Sequence, residues 1–477
     1  MPDKLRLLVA IANYGSKNDE YLARVVAEYR SMPYDVDVVL LSNIRKELGP
    51  GVEVVVGLPA RDPWSLPFAH RQIFANRLSD YDIFIYSEDD ILITGRNVRA
   101  FLRVQGALPK DEIPGFMRYE QGPSGAVNYP DVHGVFHWAP DSVRRRGEFT
   151  LAFFTNEHSA AYMVAREQLE QAINSGGFLV KPHQGKYDLL CTGATDIYTE
   201  CGLQKLICIS HLDEFLIHHL PNKYVGTAYG VDDHELRRQI QVLLRIGQNG
   251  CDTASLFQTE SKLKVGRYSK NYYEPVVPEV IEAIPSGVRS VLSIGCGWGA
   301  MESHLAKKGL RVFAVPLDPV IPGGAESAGV EIIPGDFAHA LRELAGTKFD
   351  CLLLSNVLHL VPNPTEVLLS FAALLPAGGT TVAVAPNMAR LASTWKALRG
   401  DPSAAARGGY EKTGVHRVSQ GVLRDWFRST GMKVEKVLHL VPESAGEIRR
   451  LALSVLRPWM ADEFVVVARK RAVSSTG

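Results

Sequence analysis

The feature that most constrains this chain is a glycine-rich turn that directly follows a short apolar run. The run Val291–Ile294 has the length and composition of a buried strand, and Gly295-Cys296-Gly297-Trp298-Gly299 follows it without a break. Glycine adopts positive φ and lets a ligand approach the backbone, and the helix predicted from Met301 directs its N-terminus at the same place. This order predicts a Rossmann-like ligand site. The turn also fits the dinucleotide pattern G-x-G-x-x-A, so its ligand stays open here.

Composition and length indicate an ordinary folded protein with more than one domain. The 477 residues are 46% hydrophobic and 22% charged, which fits about two to four domains. The 52 basic and 52 acidic residues cancel, so no bulk attraction to nucleic acid or anionic lipid is expected. The six cysteines contain no C-x-x-C pair, which argues against a zinc knuckle or a disulfide framework. No segment is long enough to span a membrane, and we expect a cytoplasmic protein.

The chain twice begins an alternation of apolar runs and amphipathic stretches, which predicts two α/β units. In the first unit we expect strands over 5–12, 36–41, 52–56 and 81–86 and helices over 19–31, 64–78, 166–175 and 195–202. In the second we expect strands over 290–294, 311–315, 351–354 and 380–385, with 432–440 and 463–469 as a closing pair. The predicted boundaries are 1–246, a polar linker at 247–271, a second domain at 272–471 and a tail at 472–477.

Several segments after the glycine turn follow one another in a characteristic order. They are Gly335-Asp336-Phe337, the run 349–364, the turn 374–380 and the segment that starts at His416-Arg417-Val418-Ser419. Together with the turn, they resemble class I S-adenosylmethionine-dependent methyltransferases over roughly 200 residues. The resemblance implies a seven-stranded Rossmann-like domain and favours S-adenosylmethionine over a dinucleotide as its ligand.

The resemblance also implies a set of site residues. The expected cofactor-binding residues are Gly295, Cys296, Gly297, Gly299, Asp318, Asp336, Phe337 and Ser355. Methyl transfer requires an aligned nucleophile and, for a hydroxyl acceptor, a base, for which His416 is the candidate. His359 lies in an apolar segment, and we expect it to pack in the core.

Two positions depart from the family pattern. Ser293 stands where an acidic residue usually precedes the first glycine, and Pro316 stands where an acid commonly binds the ribose hydroxyls. Asp318, two residues further on, is the expected substitute. The departures leave open a degenerate methyltransferase domain that serves as a docking module.

An acidic run ends one strand of the first unit. Glu88, Asp89 and Asp90 directly follow the strand predicted over 81–86, at the end where open α/β sheets place ligands. Carboxylate oxygens there suit Mg²⁺ or Mn²⁺ bound together with a diphosphate. The run resembles the D-x-D region of GT-A glycosyltransferases, and the order of elements agrees over roughly the first 230 residues. A solvated acidic turn before the helix that begins near Asn97 is the structural alternative.

The GT-A resemblance assigns roles to residues across the first unit. The implied metal ligands are Glu88, Asp90 and His219, and the implied nucleotide-sugar contacts are Ala12, Asn13, Tyr14 and Asp89. A later carboxylate would deprotonate the acceptor hydroxyl, with Asp196 or Glu200 as nearest matches and Glu157 as a weaker third. Arg71 and Lys223 are candidate diphosphate contacts.

The sequence therefore predicts an α/β protein with an N-terminal GT-A-like domain and a C-terminal methyltransferase domain. We expect a bifunctional enzyme that transfers a sugar from a nucleotide-sugar donor to a glycan or glycolipid acceptor and O-methylates that glycan. Its expected cofactors are S-adenosylmethionine and Mn²⁺ or Mg²⁺, and a homo-oligomer is compatible with the sequence. The alternative for the first domain is a nucleotidyltransferase, although the usual basic glycine-rich phosphate loop is missing after the first strand.

Overall fold

The computed structural model describes residues 4–131, 136–227, 229–250, 253–263, 266–390, 408–441 and 457–471. The chain divides into two units, Met1–Cys251 and Asp252–Gly477. Much of the segment predicted as a linker packs as part of the second unit, because the Leu256 N–H donates to the Leu317 carbonyl at 2.8 Å and the Lys262 N–H donates to the Thr413 carbonyl at 2.9 Å. The predicted tail 472–477 and Cys251 lie outside the described residues.

A five-stranded sheet forms the centre of the first unit, in the order β11-β4-β1-β2-β3. Its strands are β1 (Arg6–Asn13), β2 (Asp35–Ser42), β3 (Val52–Val56), β4 (Ile83–Glu88) and β11 (Ala161–Ala165). The first four are parallel, and β11 runs antiparallel to β4. All four strands predicted for this unit are confirmed. The carboxyl ends of β1 and β4 meet at one edge, where Ala12 pairs with Glu88.

Two smaller sheets complete the strands of the first unit. The four-stranded sheet has the order β6-β12-β10-β9, and the other has the order β14-β8-β7-β13-β5. Their strands are β5 (Ile91–Leu92), β6 (Glu112–Pro114), β7 (Met117–Gln121), β8 (Val127–Tyr129), β9 (Trp138–Arg146), β10 (Phe149–Phe154), β12 (Gln204–Cys208), β13 (Leu216–His219) and β14 (Val231–Asp232). The short β5 and β13 pair His219 with Ile91, directly after the acidic run.

Helices of the first unit lie where local signals favour them. They are α1 (Asp19–Ser31), α2 (His70–Asn76), α3 (Gly95–Gln105), α4 (Arg166–Asn174), α5 (Leu189–Thr199) and α6 (Asp233–Asn249). The helix predicted over 64–78 starts instead as a 3₁₀ segment, Pro63–Ala69, which contains Pro67 and precedes α2. The helix predicted over 195–202 begins earlier, because the Asp188 side chain accepts the Cys191 N–H and caps α5.

The second unit is built on one seven-stranded sheet, the number of strands that was predicted, and its strand order is β17-β16-β15-β18-β19-β21-β20. Its strands are β15 (Ser290–Cys296), β16 (Arg311–Pro316), β17 (Glu331–Ile332), β18 (Cys351–Ser355), β19 (Thr380–Pro386), β20 (Met432–Leu440) and β21 (Glu463–Lys470). The first five are parallel, whereas β21 runs antiparallel to both β19 and β20. The predicted closing pair is confirmed.

Helices connect the parallel strands of this sheet. They are α7 (Pro278–Ala283), α8 (Ala300–Lys307), α9 (Gly323–Ser327), α10 (Phe337–Glu343), α11 (Pro364–Ala372), α12 (Tyr410–Thr413), α13 (Gln420–Ser429) and α14 (Arg457–Met460). The central strands β15 and β18 are apolar and almost fully buried, which is usual for a parallel sheet covered on both faces. Connections leave the sheet in opposite directions on either side of β15, and open α/β sheets bind ligands at such a reversal.

None of the helices in the described ranges is long and apolar enough to cross a membrane. The five cysteines described by the structure are free and buried.

Candidate functional site

The acidic run of the first unit lies between β4 and β5, beside the end of β1. Asp89 is buried, and its carboxylate accepts the side-chain N–H groups of Asn13 at 2.6 Å and Asn18 at 2.8 Å. Ala12 is buried and Tyr14 is 52% exposed, so of the residues predicted to contact a nucleotide-sugar, Tyr14 alone presents a largely accessible side chain. The structure thus brings Asn13 and Asp89 into direct contact.

Asp90 and His219 lie next to each other, as the predicted metal site requires. The distance between Asp90 Oδ2 and His219 Nε2 is 3.6 Å. His219 Nδ1 is 2.5 Å from Glu120 Oε1, and the other oxygen of Glu120 accepts the Tyr224 N–H at 2.7 Å. When a carboxylate accepts a hydrogen bond from one ring nitrogen of a histidine, it orients the other ring nitrogen toward a metal. This arrangement is common around histidines that bind metals. The donor set therefore fits a divalent cation held by Asp90 and His219.

Glu88 occupies a buried environment rich in negative charge. Its Oε1 atom has no hydrogen-bond partner among the described residues. Burial raises the pKa of Glu88 to about 8, with a further contribution from the charge of Asp90. Burial likewise raises the pKa of Asp89 to about 6, against the opposing effect of the hydrogen bond from Asn18. Burial and the charge of Asp90 thus favour the protonated form of Glu88, and its side chain forms no three-residue metal-ligand group with Asp90 and His219 within the described residues.

The carboxylates predicted to act as an acceptor base lie elsewhere in the first unit. Asp196 is fully buried and accepts a hydrogen bond from Arg71 at 3.0 Å. Burial raises the pKa of Asp196, although the Arg71 charge opposes the rise. Asp196 is thus paired with Arg71, which is itself buried and also donates to the carbonyls of Thr192 and Gly193. Glu200 is exposed and lies near Asp196 and His183, with ligand atoms within 4.8 Å of one another.

The weaker candidates in the first unit make local contacts. Glu157 is buried and accepts hydrogen bonds from Lys186 at 2.8 Å and from the Tyr187 hydroxyl at 2.5 Å. The Lys223 ammonium lies 4.7 Å from the centre of the Tyr224 ring. These contacts give both residues structural partners.

The glycine turn of the second unit follows β15 and leads into α8. Gly295 and Gly299 have φ of +76° and +87°, values that other residues rarely adopt. Gly297 lies against the backbone of Tyr272, where an added Cβ would overlap the carbonyl oxygen. That oxygen accepts the Trp298 N–H at 2.9 Å. The three glycines therefore satisfy a specific backbone geometry at the N-terminus of α8.

A glutamate on α8 occupies the space beside Ser293, the first of the two family departures. Ser293 Oγ donates a hydrogen bond of 2.6 Å to Glu302 Oε1, and both side chains are buried. Burial raises the pKa of the neighbouring Cys296 thiol, and the charge of Glu302 adds to the rise. The acid absent from the strand at 293 is thus supplied by the helix that follows the turn.

The other predicted cofactor contacts have clear local roles. Asp318 is buried, and its Oδ1 accepts the N–H groups of Val320 at 2.7 Å and Ile321 at 3.0 Å. Asp336 is exposed and caps α10 by accepting the His339 N–H at 2.7 Å. Phe337 stacks on Phe257 with a ring distance of 6.1 Å and an interplanar angle of 10°. Asp318 also interacts with the Tyr272 side chain, whereas Asp336 is exposed and Phe337 is half-buried.

A pocket of about 310 Å³ opens at the carboxyl ends of β18 and β19 and the start of β21. Polar side chains on its wall include Glu274, Ser355, Asn356, His359 and Glu463. Atoms Asn356 Oδ1 and His359 Nδ1 are buried and have no hydrogen-bond partner within the described part of the chain. Buried polar atoms usually have partners, so these two are suited to a ligand.

Asn356 links the two carboxylates of this pocket. Its Nδ2 donates to Glu463 Oε1 at 2.8 Å and to Glu274 Oε1 at 3.1 Å. Its φ is +51°, a left-handed conformation that is uncommon for residues other than glycine and recurs at functional sites. Burial raises the pKa of Glu463, and the charge of Glu274 acts in the same direction.

Lys270 fixes the other carboxylate of the pair. Its buried ammonium donates to Glu274 Oε2 at 2.6 Å and to the Ser355 carbonyl at 2.7 Å. The Ser355 hydroxyl also donates to Glu274 at 2.9 Å, and the Trp298 indole N–H donates to the Glu274 carbonyl at 2.8 Å. Glu274 thus connects the glycine turn to the end of β18.

His416, the predicted base, has its ring held by the protein. Its Nε2 lies 3.0 Å from the Val361 carbonyl and 3.1 Å from the Pro362 carbonyl, and the ring stacks on Tyr410 at 4.6 Å. It is not among the residues that line the pocket. His359 is buried as predicted, but it also lines the pocket, and burial lowers its pKa to about 4.

The family comparison covers the region that contains the turn and most of this pocket. Residues 262–437 match the family model described as "Methyltransferase domain". The second unit contains a methyltransferase domain. Ser355, Asn356 and Glu274 lie within the matched region of the methyltransferase domain, whereas Glu463 lies beyond it.

Several curated relatives carry the description ubiquinone biosynthesis O-methyltransferase, and two of them illustrate the match. The protein from Xanthomonas axonopodis pv. citri (strain 306) is 26% identical over 171 residues, which are 33% of this chain and 68% of that protein. The protein from Xylella fastidiosa (strain M23) is 34% identical over 99 residues, which are 20% of this chain and 40% of that protein. The chain therefore matches about two fifths of the second relative.

Solved structures of methyltransferases also align with this chain. An S-adenosylmethionine-dependent methyltransferase from Mesorhizobium loti is 18% identical with a TM-score of 0.30, over 40% of this chain and 96% of that chain. One from Archaeoglobus fulgidus is 19% identical with a TM-score of 0.31, over 40% of this chain and 90% of that chain. The aligned part is less than half of the present chain.

The residues of the methyltransferase domain fit S-adenosylmethionine, the cofactor that the family match implies. The left-handed Gly295 and Gly299 shape a backbone surface at the N-terminus of α8, and Asn356 Oδ1 is a buried acceptor without a partner in the described structure. The accessible Asp336 and Phe337 lie at the start of α10, after the neighbouring strands β16 and β17. These groups are suited to a ligand with both polar and apolar parts.

Sequence analysis missed five residues that the structure brings to the methyltransferase domain's site. They are Lys270, Glu274, Glu302, Asn356 and Glu463. Glu302 could have been identified from the sequence, because it lies about one helical turn after the glycine turn, and the acidic residue that usually precedes this turn is replaced by Ser293. The others carried none, because nothing in their spacing indicates that they meet.

Proposed function

We propose that the protein is a bifunctional transferase. In this proposal the methyltransferase domain transfers the methyl group of S-adenosylmethionine to a hydroxyl of a glycan, and the first unit transfers a sugar from a nucleotide-sugar donor. For the second unit, the observation that carries the proposal is the matched domain with its glycine turn at the N-terminus of α8. For the first unit, it is the Asp90–His219 pair with Glu120 behind it.

In the methyltransferase domain, the proposed reaction depends on alignment of the two substrates. S-adenosylmethionine supplies an electrophilic methyl group when it is bound. It would be bound by the glycine turn together with Asp336, Phe337 and Ser355. Glu302 stabilises the strand that leads into this turn through its hydrogen bond with Ser293. The names of the two relatives include O-methyltransferase, which supports oxygen as the methylated atom.

In the first unit, the proposed sugar transfer needs stabilisation of a diphosphate leaving group. Asp90 and His219 would hold the divalent cation, and the diphosphate would complete its coordination. A bound Mn²⁺ or Mg²⁺ supplies Lewis-acid stabilisation of that leaving group. Tyr14 is exposed at the end of β1 and would contact the nucleotide, while Asn13 orients Asp89. Of the three predicted bases, Glu200 is exposed and would be accessible to an acceptor, whereas Asp196 and Glu157 are buried.

Thermal denaturation with S-adenosylhomocysteine tests the methyltransferase part. A ligand that binds the native state raises the midpoint by mass action, so we expect a concentration-dependent rise. Glu302→Gln should weaken this response, whereas the surface variant Glu331→Gln should retain it. No response of the wild-type protein at saturating ligand would contradict the proposal and favour a docking module.

A second titration tests the sugar-transfer part with UDP or GDP and Mn²⁺. We expect a rise in midpoint that requires both components and is lost in His219→Gln. Glu214→Gln, at a surface pair with Arg103, is the matched control and should respond like the wild type. A nucleotide response that is independent of Mn²⁺ would contradict this assignment. Release of pyrophosphate from a nucleoside triphosphate would favour a nucleotidyltransferase instead.

A further inference from the structure

The pocket beside Glu463 lies on a different part of the sheet from the glycine turn. The turn ends β15, and the predicted cofactor-binding residues Asp318 and Asp336 follow β16 and β17. The pocket lies at the ends of β18 and β19 and the start of β21, on the other side of β15 in the strand order. Ser355 and Glu274 are adjacent to both regions through their hydrogen bonds. The pocket therefore neighbours the proposed cofactor site and is separate from most of it.

The lining of the pocket selects for the charge of its ligand. Two carboxylates, Glu274 and Glu463, face it, while the single ammonium of Lys270 is bonded to Glu274. The excess negative charge repels anionic ligands, because like charges at close range in a partly buried site interact unfavourably. Carboxylates accept hydrogen bonds from hydroxyl groups, so an uncharged polyhydroxylated molecule suits this wall.

The volume of the pocket and its apolar wall further restrict the kind of ligand that it can bind. Its volume of about 310 Å³ is at the lower end of the range of about 300–1,000 Å³ usual for small-molecule sites. Part of the pocket wall is apolar, in contrast to the two carboxylates, and consists of Pro275, Val277, Val384 and Pro386. A sugar ring offers C–H groups on its faces and hydroxyl groups at its rim, which matches both surfaces.

Glu463 is the carboxylate suited to accept a proton. Glu274 is hydrogen-bonded to Lys270, Ser355 and Asn356, whereas Glu463 accepts a single side-chain hydrogen bond from the residues that the structure describes, donated by Asn356. Asn356 is itself fixed, because its N–H donates to the Val384 carbonyl at 3.0 Å. Its left-handed backbone turns the amide between the two glutamates. Glu463 thus has a defined position and free acceptor capacity toward the pocket.

We propose that this pocket is the acceptor subsite of the methyltransferase domain, that it takes an uncharged sugar hydroxyl, and that Glu463 is the catalytic base. The inference rests on the proposed methyl transfer. The acceptor oxygen forms a bond to the methyl carbon while the carbon–sulfur bond breaks and its electron pair stays on sulfur. The hydroxyl proton goes to the Glu463 carboxylate. Asn356 and Lys270 are positioning residues in this scheme.

The test measures transfer of radiolabelled methyl from S-adenosylmethionine to simple methyl glycosides, with glucose 6-phosphate and catechol as comparison acceptors. We expect transfer to at least one glycoside and none to the phosphorylated sugar. Glu463→Gln keeps the size of the side chain and should lower kcat by about 10²- to 10⁴-fold, the usual contribution of a general base. Its S-adenosylhomocysteine binding should equal that of the wild type. The matched control is Glu435→Gln on the adjacent β20, where Glu435 pairs with Arg469 at the surface.

The pH profile distinguishes a base from a merely structural residue. The wild-type kcat should rise with pH as Glu463 loses its proton, and Glu463→Gln should lack this rise. The groups that face Glu463 are Asn356 from the end of β18, Glu274 and Lys270 from the segment before β15, and the neighbouring Asp462. Lys270→Met should shift the rise to higher pH without abolishing it, since a nearby positive charge is removed.

The outcomes separate this inference from the function on which it rests. Absence of S-adenosylhomocysteine binding by the wild type would overturn the proposed methyltransferase function. Binding without transfer to any glycoside, or transfer to catechol alone, would overturn the sugar subsite. An unchanged kcat and pH profile in Glu463→Gln would overturn the role of Glu463 as base.

Discussion

Gly297 has little freedom to accept a side chain, because the Tyr272 carbonyl oxygen already occupies the space where a Cβ would lie. We expect Gly297→Ala to destabilise the protein by about 1–3 kcal/mol, the usual cost of overpacking a tight site. It should also weaken S-adenosylhomocysteine binding, because the turn must move. Urea unfolding and calorimetric titration measure the two effects. Gly287→Ala is the control, since no atom lies within 4 Å of its added carbon; equal values for both variants would contradict the prediction.

Glu463 should make stability depend on pH in a specific direction. Its pKa is raised by burial above the ordinary glutamate value of about 4.3, so the folded state binds a proton more tightly than the unfolded state. The associated stability is present below that ordinary value and is lost as pH rises through the folded pKa. Glu463→Gln, which carries no charge, should therefore have the higher melting temperature at neutral pH.

The difference in melting temperature between Glu463→Gln and the wild type should shrink as the pH falls toward about 4.3. Thermal unfolding at a series of pH values measures it. Glu435→Gln, at an exposed ion pair on β20, should show little pH-dependent difference because such pairs contribute little to stability. A gap that is constant across pH would contradict the assigned pKa shift.

Strands β7 and β13 act together at the scale of secondary structure. They are parallel neighbours with Ile217 opposite Arg118 and His218 opposite Tyr119, a register that continues toward His219 and Glu120. We expect Glu120→Gln to lower Mn²⁺ affinity by about 10- to 100-fold, because removal of an outer carboxylate leaves the histidine ring poorly oriented. Isothermal titration measures the affinity. Glu53→Gln, which removes a surface partner of Arg77, is the control, and an equal loss in both variants would contradict the metal assignment.

Secondary structure could be predicted well where the hydrophobic pattern decided it. The runs that became β15 and β18 are continuous apolar segments next to turns, so their existence followed from the sequence. The helix predicted over 64–78 was wrong in its first half, because Pro67 favours the 3₁₀ segment there. The start of α5 was missed, because the cap at Asp188 was not recognised.

Candidate sites could be predicted only where their residues are close in sequence. The glycine turn and the acidic run are contiguous, so pattern and chemistry pointed to them directly. Glu274, Asn356 and Glu463 come from three distant segments that meet at one edge of the sheet. Their meeting depends on the antiparallel β21 beside β19, which a single sequence does not reveal.

Across the whole molecule, the two units have separate hydrophobic cores and separate candidate ligands. We expect differential scanning calorimetry to resolve two transitions, since such chains do not unfold in one all-or-none step. S-adenosylhomocysteine should raise one transition, and a nucleoside diphosphate with Mn²⁺ should raise the other. A single transition that shifts equally with both ligands would contradict this independence.

The hydrogen bond from Ser293 to Glu302 has a consequence for how this sequence can change over time. A carboxylate beside the glycine turn comes from the helix, so an aspartate introduced at position 293 would meet a second buried negative charge. Loss of Glu302 alone would leave the Ser293 hydroxyl without its acceptor. Each single replacement is therefore unfavourable. An aspartate at position 293 together with loss of the Glu302 carboxylate would again leave one acid beside the turn, so we expect the two positions to evolve as an epistatic pair.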